Sequence, residues 1–511
     1  MAPARLGCQQ LTAGLCGTPT EPSAGLEVEE LVVTAPLRLL SSDGLQRIHE
    51  ASLRILERTG MLVDHERARE LLEGAGAQVD HESKMVRFPP QLVEEKLALV
   101  PRQLTYHGRT PEYDRTLTPE GEIYSRVPGG ATNYIDLETL RNRRAVLEDW
   151  RQFATLTDAL PNIDSIATLH VGDVPAETAD IHSLRVLLES QRKCIVHNAF
   201  SLRNQRFMLE LMLAVRGSRE ALEERPLVHF MLSPISPLFL NEDDTSQLLL
   251  ACEYGIPTDI PIMPIAGVTG PITLAGLIAQ GNAEYLGTMT LAQVARPGHR
   301  MPYFMDPVMG DMRTGSALFG APEVGLLVAA ISQLGSELYG FPAEAIGLDS
   351  DGFEVGQSLF QKAQNMALQV MAGGKLIIGA GQVEGTMALS PVQLVIDDEL
   401  MAIARRWAQG ISVDDESLAL DLLDEVGPRG DFLAEEHTIE HLRAGAVLET
   451  HFFERVPREM WEARGAPTIE QKAQAKAQEI LASHEVPPLP DEVLRELGAV
   501  VARADRELAG T

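Results

Sequence analysis

The chain has 511 residues, 45% of them hydrophobic and 23% charged, and its 73 acidic against 43 basic side chains give a formal charge of −30. That excess argues against a nucleic-acid partner, because phosphate binding needs a basic footprint; it favours solubility and is compatible with a cationic small molecule. The four cysteines (Cys8, Cys16, Cys194, Cys252) are scattered and form no CxxC pair, so neither a disulfide framework nor a cysteine zinc site is expected.

Apolar runs are broken by Gly, Pro or charge well before the ~18 residues of a membrane span, so no membrane association is expected. The N-terminus lacks the basic start and apolar core of a signal peptide, and a cytoplasmic protein is expected. Residues 1–36, rich in Ala, Gly, Thr, Pro and Glu without periodicity, read as a mobile tail. Residues 37–136 read as an N-terminal extension. Apolar residues at helical spacing (Leu45, Ile48, Leu53, Ile55, Leu56) predict a helix over 42–60, followed by helices at 66–73 and 89–99 and a strand at 85–88. The stretch 104–136 is strand-like, with Gly129-Gly130 at a turn.

Residues 137–391 carry the main domain. Candidate strands at 165–170, 193–200, 227–234, 261–267, 301–307, 343–349 and 375–381 start roughly 28 to 42 residues apart and alternate with helical stretches, as repeated βα units require. The strands are apolar throughout, as parallel strands buried on both faces should be. The expected fold is an α/β TIM-type (β/α)8 barrel, with an eighth strand drawn from 122–134. A doubly wound open sheet is the alternative, disfavoured because no GxGxxG follows the first strand. Within 261–287 the strand breaks at Gly267-Val268-Thr269-Gly270-Pro271 and continues as an Ala/Leu/Gly-rich helix. Gly267, Thr269 and Gly270 are therefore candidates for backbone approach to a ligand, with barrel packing as the alternative. Thr269 or Thr273 is expected to cap the helix.

Residues 392–511 read as a helical region with helices at 392–407, 414–426, 438–449, 468–484 and 491–508, buttressing the barrel or forming a homo-oligomer interface. Its acidic patch Asp397-Asp398-Glu399 reads as a solvated or bracing face. His437 and His441 lie outside the barrel, and no HxH or HExxH spacing occurs, so no metal site is expected. No Walker loop or nucleophile elbow is present.

Function in such a barrel sits at the C-terminal strand tips. The candidates there are Tyr303, Phe304 and Asp306; Asp349, Asp351 and Phe353; Gln382 and Glu384; and His197 with Asn198. Tyr303 and Phe304 alternate faces, so one of the two is expected in the core. Asp306 precedes Pro307 and reads equally as a turn starter. Asp349 and Asp351 read as a cation-holding pair or as loop and capping residues. Arg313 forms an ion pair with Asp311 or meets a substrate carboxylate. His229 lies within a strand and reads as a core residue.

Several segments, in order, resemble the trimethylamine methyltransferase family of corrinoid-dependent amine methyltransferases. They are ASLRILERTGMLVDHERARELLEGAGAQVD (51–80), VRFPPQLVEEKLALVPRQLTYHGR (86–109), LTDALPNIDSI (156–166), GVTGPITLAG (267–276), DMRTG (311–315), QLVIDDEL (393–400) and GISVDDESLALDLLDEVGPRGDFL (410–433). The resemblance implies an α/β barrel whose cleft faces a partner corrinoid protein, and transfer of a methyl group from an amine nitrogen to Co(I). Trimethylamine-specific members carry pyrrolysine on a barrel loop; here that loop is DSDGFEVGQSLFQKA (349–363), and the pyrrolysine position falls near Gly356. The chain thus resembles members that demethylate quaternary amines such as glycine betaine.

The chemistry implied fits a protein without pyrrolysine. The corrinoid (cobalamin) supplies the nucleophile, and a quaternary ammonium already has a neutral amine as leaving group. The protein has to hold the cation with aromatic faces and carboxylates and aim one methyl at cobalt. A betaine carboxylate would need amide donors or an Arg. The alternatives are another methyl donor on the same fold, or a non-catalytic protein that binds a betaine or a corrinoid.

Overall fold

Eight short parallel strands form one sheet whose neighbours follow chain order: β1 (Tyr124–Val127), β2 (Ser165–Ile166), β3 (Cys194–His197), β4 (Val228–Met231), β5 (Thr258–Asp259), β6 (Tyr303–Phe304), β7 (Ala343–Ile346) and β8 (Leu376–Ile378). The computed structural model describes residues 37–510, so the expected tail at 1–36 lies outside the described residues. β8 returns to β1 with Ile377 opposite Ser125. β5 and β6 are joined by a parallel bridge from Ile262 to Met305, where the Asp306 amide donates to the Ile262 carbonyl at 2.8 Å. The ring is a TIM-type (β/α)8 barrel, and β1 is the eighth strand expected from 122–134.

Each strand is followed by a helix on the outside: α1 (Leu147–Ala159), α2 (Ala179–Ser190), α3 (Leu202–Arg216), α4 (Glu242–Tyr254), α5 (Leu274–Ala295), α6 (Pro322–Gln333), α7 (Val355–Met371) and α8 (Pro391–Ala408). β1, β3 and β7 are buried on both faces, between a filled interior and the helix ring.

One strand differs from expectation. The barrel wall runs through Thr258–Asp259 and the single bridge at Ile262, not through a continuous strand at 261–267; Pro261 and Pro264 have no N–H to give a ladder. The chain then leaves the wall, and Ile265–Ala266 pairs with Val308–Gly310, which turns back onto Ala317–Leu318. This three-stranded sheet stands beyond the C-terminal ends of β5 and β6.

The opposite end is closed by a hairpin, Leu104–Tyr106 paired with Arg115–Leu117. It inserts Tyr106 into the barrel, where its hydroxyl bonds Asp259 (2.9 Å) and Glu344 (2.5 Å) and its ring stacks on His229 at 4.1 Å.

The helix Ser42–Arg58, capped by Ser41 accepting from the Gly44 amide, lays its buried stripe (Leu45, Ile48, Leu53, Leu56) on α5. α5 is buried all round from Leu277 to Gln293, because it lies between barrel and extension. At the C-terminus, Ile469–Ser483 packs on α8 and α1, and Asp491–Ala504 packs on α3 and α2. The helix expected at 414–426 is broken at Ala419 (φ 48°) into Asp415–Leu418 and Leu420–Val426, and the one expected at 438–449 is Glu436–Arg443. The patch Asp397-Asp398-Glu399 braces the fold rather than facing solvent. Asp397 bonds Lys362, Asp398 accepts from the Asn162 amide, and Glu399 accepts from the His451 and Phe452 amides. Among the described residues no helix is long and apolar enough to cross a membrane.

Candidate functional site

Beyond the C-terminal strand ends lies a cavity of about 390 Å³. β1 contributes Arg126, β6 contributes Phe304 and then Asp306, β7 leads to Asp349, and β8 leads to Gln382; Phe319 closes one wall from the sheet beyond β6. Asn198 and His170 lie at its edge, after β3 and β2. Phe304 and Phe319 are 2% and 4% exposed, so the aromatic surface here is packed and fixed.

The cavity carries two carboxyl groups with unmet oxygens. Asp306 Oδ1 and Asp349 Oδ2 are buried and have no hydrogen-bond partner among the described residues. Burial pushes the Asp306 carboxyl well above the usual carboxylate range; Arg126 opposes the shift, and Glu344 and Asp349 add to it. Burial likewise pushes Asp349 up to about 7, against the pull of Lys362. Asp349 Oδ1 accepts from the Ser350 amide at 2.7 Å, leaving Oδ2 for a ligand. Two further acceptors, Asn198 Oδ1 and Gln382 Oε1, are also unmet, while Gln382 Nε2 is anchored on the Thr386 carbonyl at 2.7 Å. These four unmet oxygens gather at one cavity, where polar groups of a ligand or ordered water would meet them.

Below this level the barrel interior holds a charged cluster. Arg126 Nη1 bonds Asp259 and lies 3.4 Å from Glu344, and its guanidinium sits 5.1 Å from the centre of the Phe304 ring. Burial alone would raise Asp259, but Arg126 and His229 hold it below the usual range. Burial, with Asp259 adjacent, raises Glu344 instead. The cluster therefore balances one guanidinium with one carboxylate and keeps the second carboxyl protonated at neutral pH.

The structure brings together Phe304, Asp306, Asp349 and Gln382 of the residues expected at the site, with Asn198. Tyr303 faces the other way, donating to Asn282 of α5 at 2.9 Å and packing on Tyr285 and Tyr339, so it is the core member of its pair. Arg313 is 90% exposed and paired with Asp311 at 3.2 Å, outside the cavity. Asp351 accepts from the Phe319 and Gly320 amides (2.8 and 2.9 Å), so it positions Phe319 and does not face the cavity. Phe353 is 82% exposed, and Gly356 opens the exposed first turn of α7. Glu384 (φ 61°) accepts from Asn142 at the rim.

At the 267–270 turn the amides of Val268, Thr269 and Gly270 converge on the Ile265 carbonyl, and the Gly267 amide donates to the Gly270 carbonyl. These amides are spent within the turn, so Gly267, Thr269 and Gly270 form no ligand cradle. Neither threonine side chain caps α5: Thr269 Oγ1 accepts from the Ile265 amide, and Thr273 makes no cap bond.

His197 is fully buried, with its pKa lowered to about 3 by burial; it is a neutral packing residue. His229 is buried against Tyr106 and Asp259, in the barrel interior. Sequence reasoning missed Arg126, His170 and Phe319. The signal for Arg126 was a lone charge in the short strand YSRV. Phe319 gave none, since its loop position depends on Asp351.

A larger cavity of about 560 Å³ at the N-terminal end is lined by Glu120, Glu122, Arg115, Asp164, Lys375 and Arg405, the last four of which already have partners. Asp164 pairs with both arginines, and Lys375 donates to the Gly121 carbonyl. The mouth cavity is the candidate site: it suits a small cation and offers no nucleophile with an adjacent base. Among the described residues no three His, Cys, Asp or Glu side chains converge to hold a metal ion.

The family model described as trimethylamine methyltransferase (MTTB) matches residues 20–509. The trimethylamine methyltransferase MttB of Desulfitobacterium hafniense (strain DSM 10664 / DCB-2) is 29% identical over 427 residues, covering 83% of this chain and 85% of that protein. The Methanosarcina barkeri protein named trimethylamine methyltransferase MttB is 28% identical over 93% of this chain and 96% of its own length. A glycine betaine methyltransferase from Desulfitobacterium hafniense (strain Y51) is 29% identical over 83% of this chain and 89% of its own length.

Proposed function

The chain belongs to the trimethylamine methyltransferase family, and from that premise we propose that it moves a methyl group from a small quaternary amine, glycine betaine or a related betaine, to the Co(I) of a corrinoid carried by a partner protein. The observation that carries this reading is the pair of carboxyl groups, Asp306 and Asp349, with buried unmet oxygens in a cavity walled by Phe304 and Phe319. A trimethylammonium group offers no N–H, and carboxylates and aromatic faces are the protein groups that attract it. A relative named for glycine betaine supports the betaine class.

The reaction asks little acid–base work of the protein. The C–N bond of the ammonium breaks, its electron pair stays on nitrogen to give a neutral tertiary amine, and the cobalt electron pair forms the new bond to carbon. No proton has to be supplied, which agrees with a site that holds no acid–base pair around a nucleophile. The carboxyl groups and rings of this chain hold and orient the cation, and orientation is where the rate is gained. The cavity of about 390 Å³ fits a small amine, and in this reading the corrinoid is a second substrate that meets the donor at the mouth.

An anaerobic absorbance assay with reduced cobalamin and a panel of methylated amines, including glycine betaine and trimethylamine, tests the proposal. Loss of the Co(I) spectrum with a quaternary amine is expected. Turnover with trimethylamine or a non-amine donor alone would replace the substrate class. Betaine binding without transfer, even to a supplied corrinoid protein, would turn the reading to a binding protein.

A further inference from the structure

Arg126 is 1% exposed and stands on β1, one level below the strand tips that carry Asp306 and Asp349. Its Nη1 is taken up by Asp259, with Glu344 beside it. Its Nε is buried without a partner, and among the described residues Nη2 makes no hydrogen bond. The Nε–H and Nη2–H of a guanidinium are parallel donors spaced to meet both oxygens of a carboxylate. The guanidinium carbon lies 5.1 Å from the centre of the Phe304 ring, and Arg126 lines the cavity itself. The cavity lining thus sets an unmet donor edge of Arg126 alongside the carboxyl groups of Asp306 and Asp349.

We propose that Arg126 is the specificity-determining residue of this site: its Nε/Nη2 edge takes the carboxylate of a short zwitterionic quaternary amine, whose ammonium lies at the strand tips against Asp306 and Asp349. This rests on the reading of the protein as a quaternary-amine methyltransferase and adds to it the end of the substrate that does not react. Anchoring the carboxylate at depth turns the methyl groups towards the mouth, where a methyl acceptor approaches. An amine with an alkyl tail would fill the same space but leave a buried guanidinium edge unmet, and sites that hydrogen-bond a substrate group discriminate strongly against analogues lacking it. Arg313, the arginine the sequence offers for this role, is 90% exposed and paired with Asp311.

The test compares glycine betaine with ethyltrimethylammonium, in which a methyl group replaces the carboxylate, by calorimetric titration of the full chain and by methylation of reduced cobalamin. Wild-type protein is expected to bind glycine betaine roughly 10- to 100-fold more tightly, the range for hydrogen bonds between charged groups. The variant R126K keeps a positive charge beside Asp259 but loses the planar fork. It is expected to bring the ratio close to one while still binding ethyltrimethylammonium.

Equal affinity of wild-type protein for the two ligands, or an undiminished betaine preference in R126K, overturns the assignment. The wild-type comparison decides even if R126K does not fold. Methylation of cobalamin by ethyltrimethylammonium without betaine preference removes Arg126 from this role and leaves the methyltransferase reading standing. Binding and transfer with neither ligand, nor with any other quaternary amine, overturns both.

Discussion

At the scale of single residues, Asp349 is the group through which pH reaches the site. Its carboxyl is raised to about 7 by burial, so it is neutral below that pH and ionised above it. A cationic ligand favours the ionised form, and quaternary-amine affinity should therefore rise as pH increases through 7, by up to about tenfold between pH 6 and 8. Titration calorimetry at the two pH values checks this, and D349N should bind weakly with a flat profile. Stability runs the other way. A pKa raised above the unfolded value means that ionisation opposes folding, a cost absent at pH 4 and fully present above 7. D349N should raise Tm at pH 8 and leave it unchanged or lower at pH 4.

The strand-tip rule made Phe304, Asp306, Asp349 and Gln382 legible as residues of the mouth cavity, because each lies on or soon after a strand that the sequence reveals. It failed for Asp351, two residues from Asp349, because the chain has left the strand there and the loop carries its side chain to the Phe319 and Gly320 amides.

At the scale of elements, the turn after β8 depends on a tie between two helices. Lys362 of α7 donates to Asp397 of α8 at 2.7 Å and to the Gly379 carbonyl at 3.1 Å, and Asp397 accepts from the Gly381 amide at 2.7 Å. Both side chains are fully buried. Gly379 (φ 122°) and Gly381 (φ 78°) occupy backbone conformations that side chains disfavour; a Cβ at Gly379 would come 2.2 Å from the Leu348 carbonyl carbon. That turn delivers Gln382 to the cavity. K362M should cost about 3–5 kcal/mol in equilibrium urea unfolding by leaving Asp397 unpaired, and K362M/D397L should recover much of it. The acidic run at 397–399 was visible in the sequence, but its bracing role was not, since its partners lie on other helices. The glycine-rich 267–270 segment shows the converse: a motif suited to ligand contact is consumed by its own turn.

At the scale of the molecule, the barrel is a vessel open at one end. The Leu104–Tyr106 hairpin fills the N-terminal end, and Tyr106 bonds Asp259 and Glu344 inside it. Y106F should cost about 1–3 kcal/mol in thermal or urea unfolding, since buried acceptors lose their donor. Access is then through the mouth alone. M263W, which adds bulk at a 42% exposed residue lining the cavity, should lower methyl transfer at least tenfold with little change in Tm. A408W, at the opposite cavity, should leave transfer unchanged. The order of strands and helices was readable because each βα unit is built from near neighbours in sequence.

The sequence by itself pointed to the barrel: apolar strands at βα spacing call for a parallel sheet clothed in helices, and the eighth strand at 122–134 with no GxGxxG favoured a closed ring over an open sheet. It also pointed to the C-terminal strand ends, where the mouth cavity lies. Only the tertiary structure decided which side chains face the cavity and which charges are left without partners. Side chains alternate along a strand, so a shift of one residue exchanges cavity for core, as Tyr303 and Phe304 show. The partners that neutralise a charge come from far along the chain: Asp259 lies 133 residues from Arg126, and Glu344 lies 238 residues from Tyr106. Arg126 keeps a free edge because those distant groups occupy one side of its guanidinium and not the other, a balance set by packing in three dimensions.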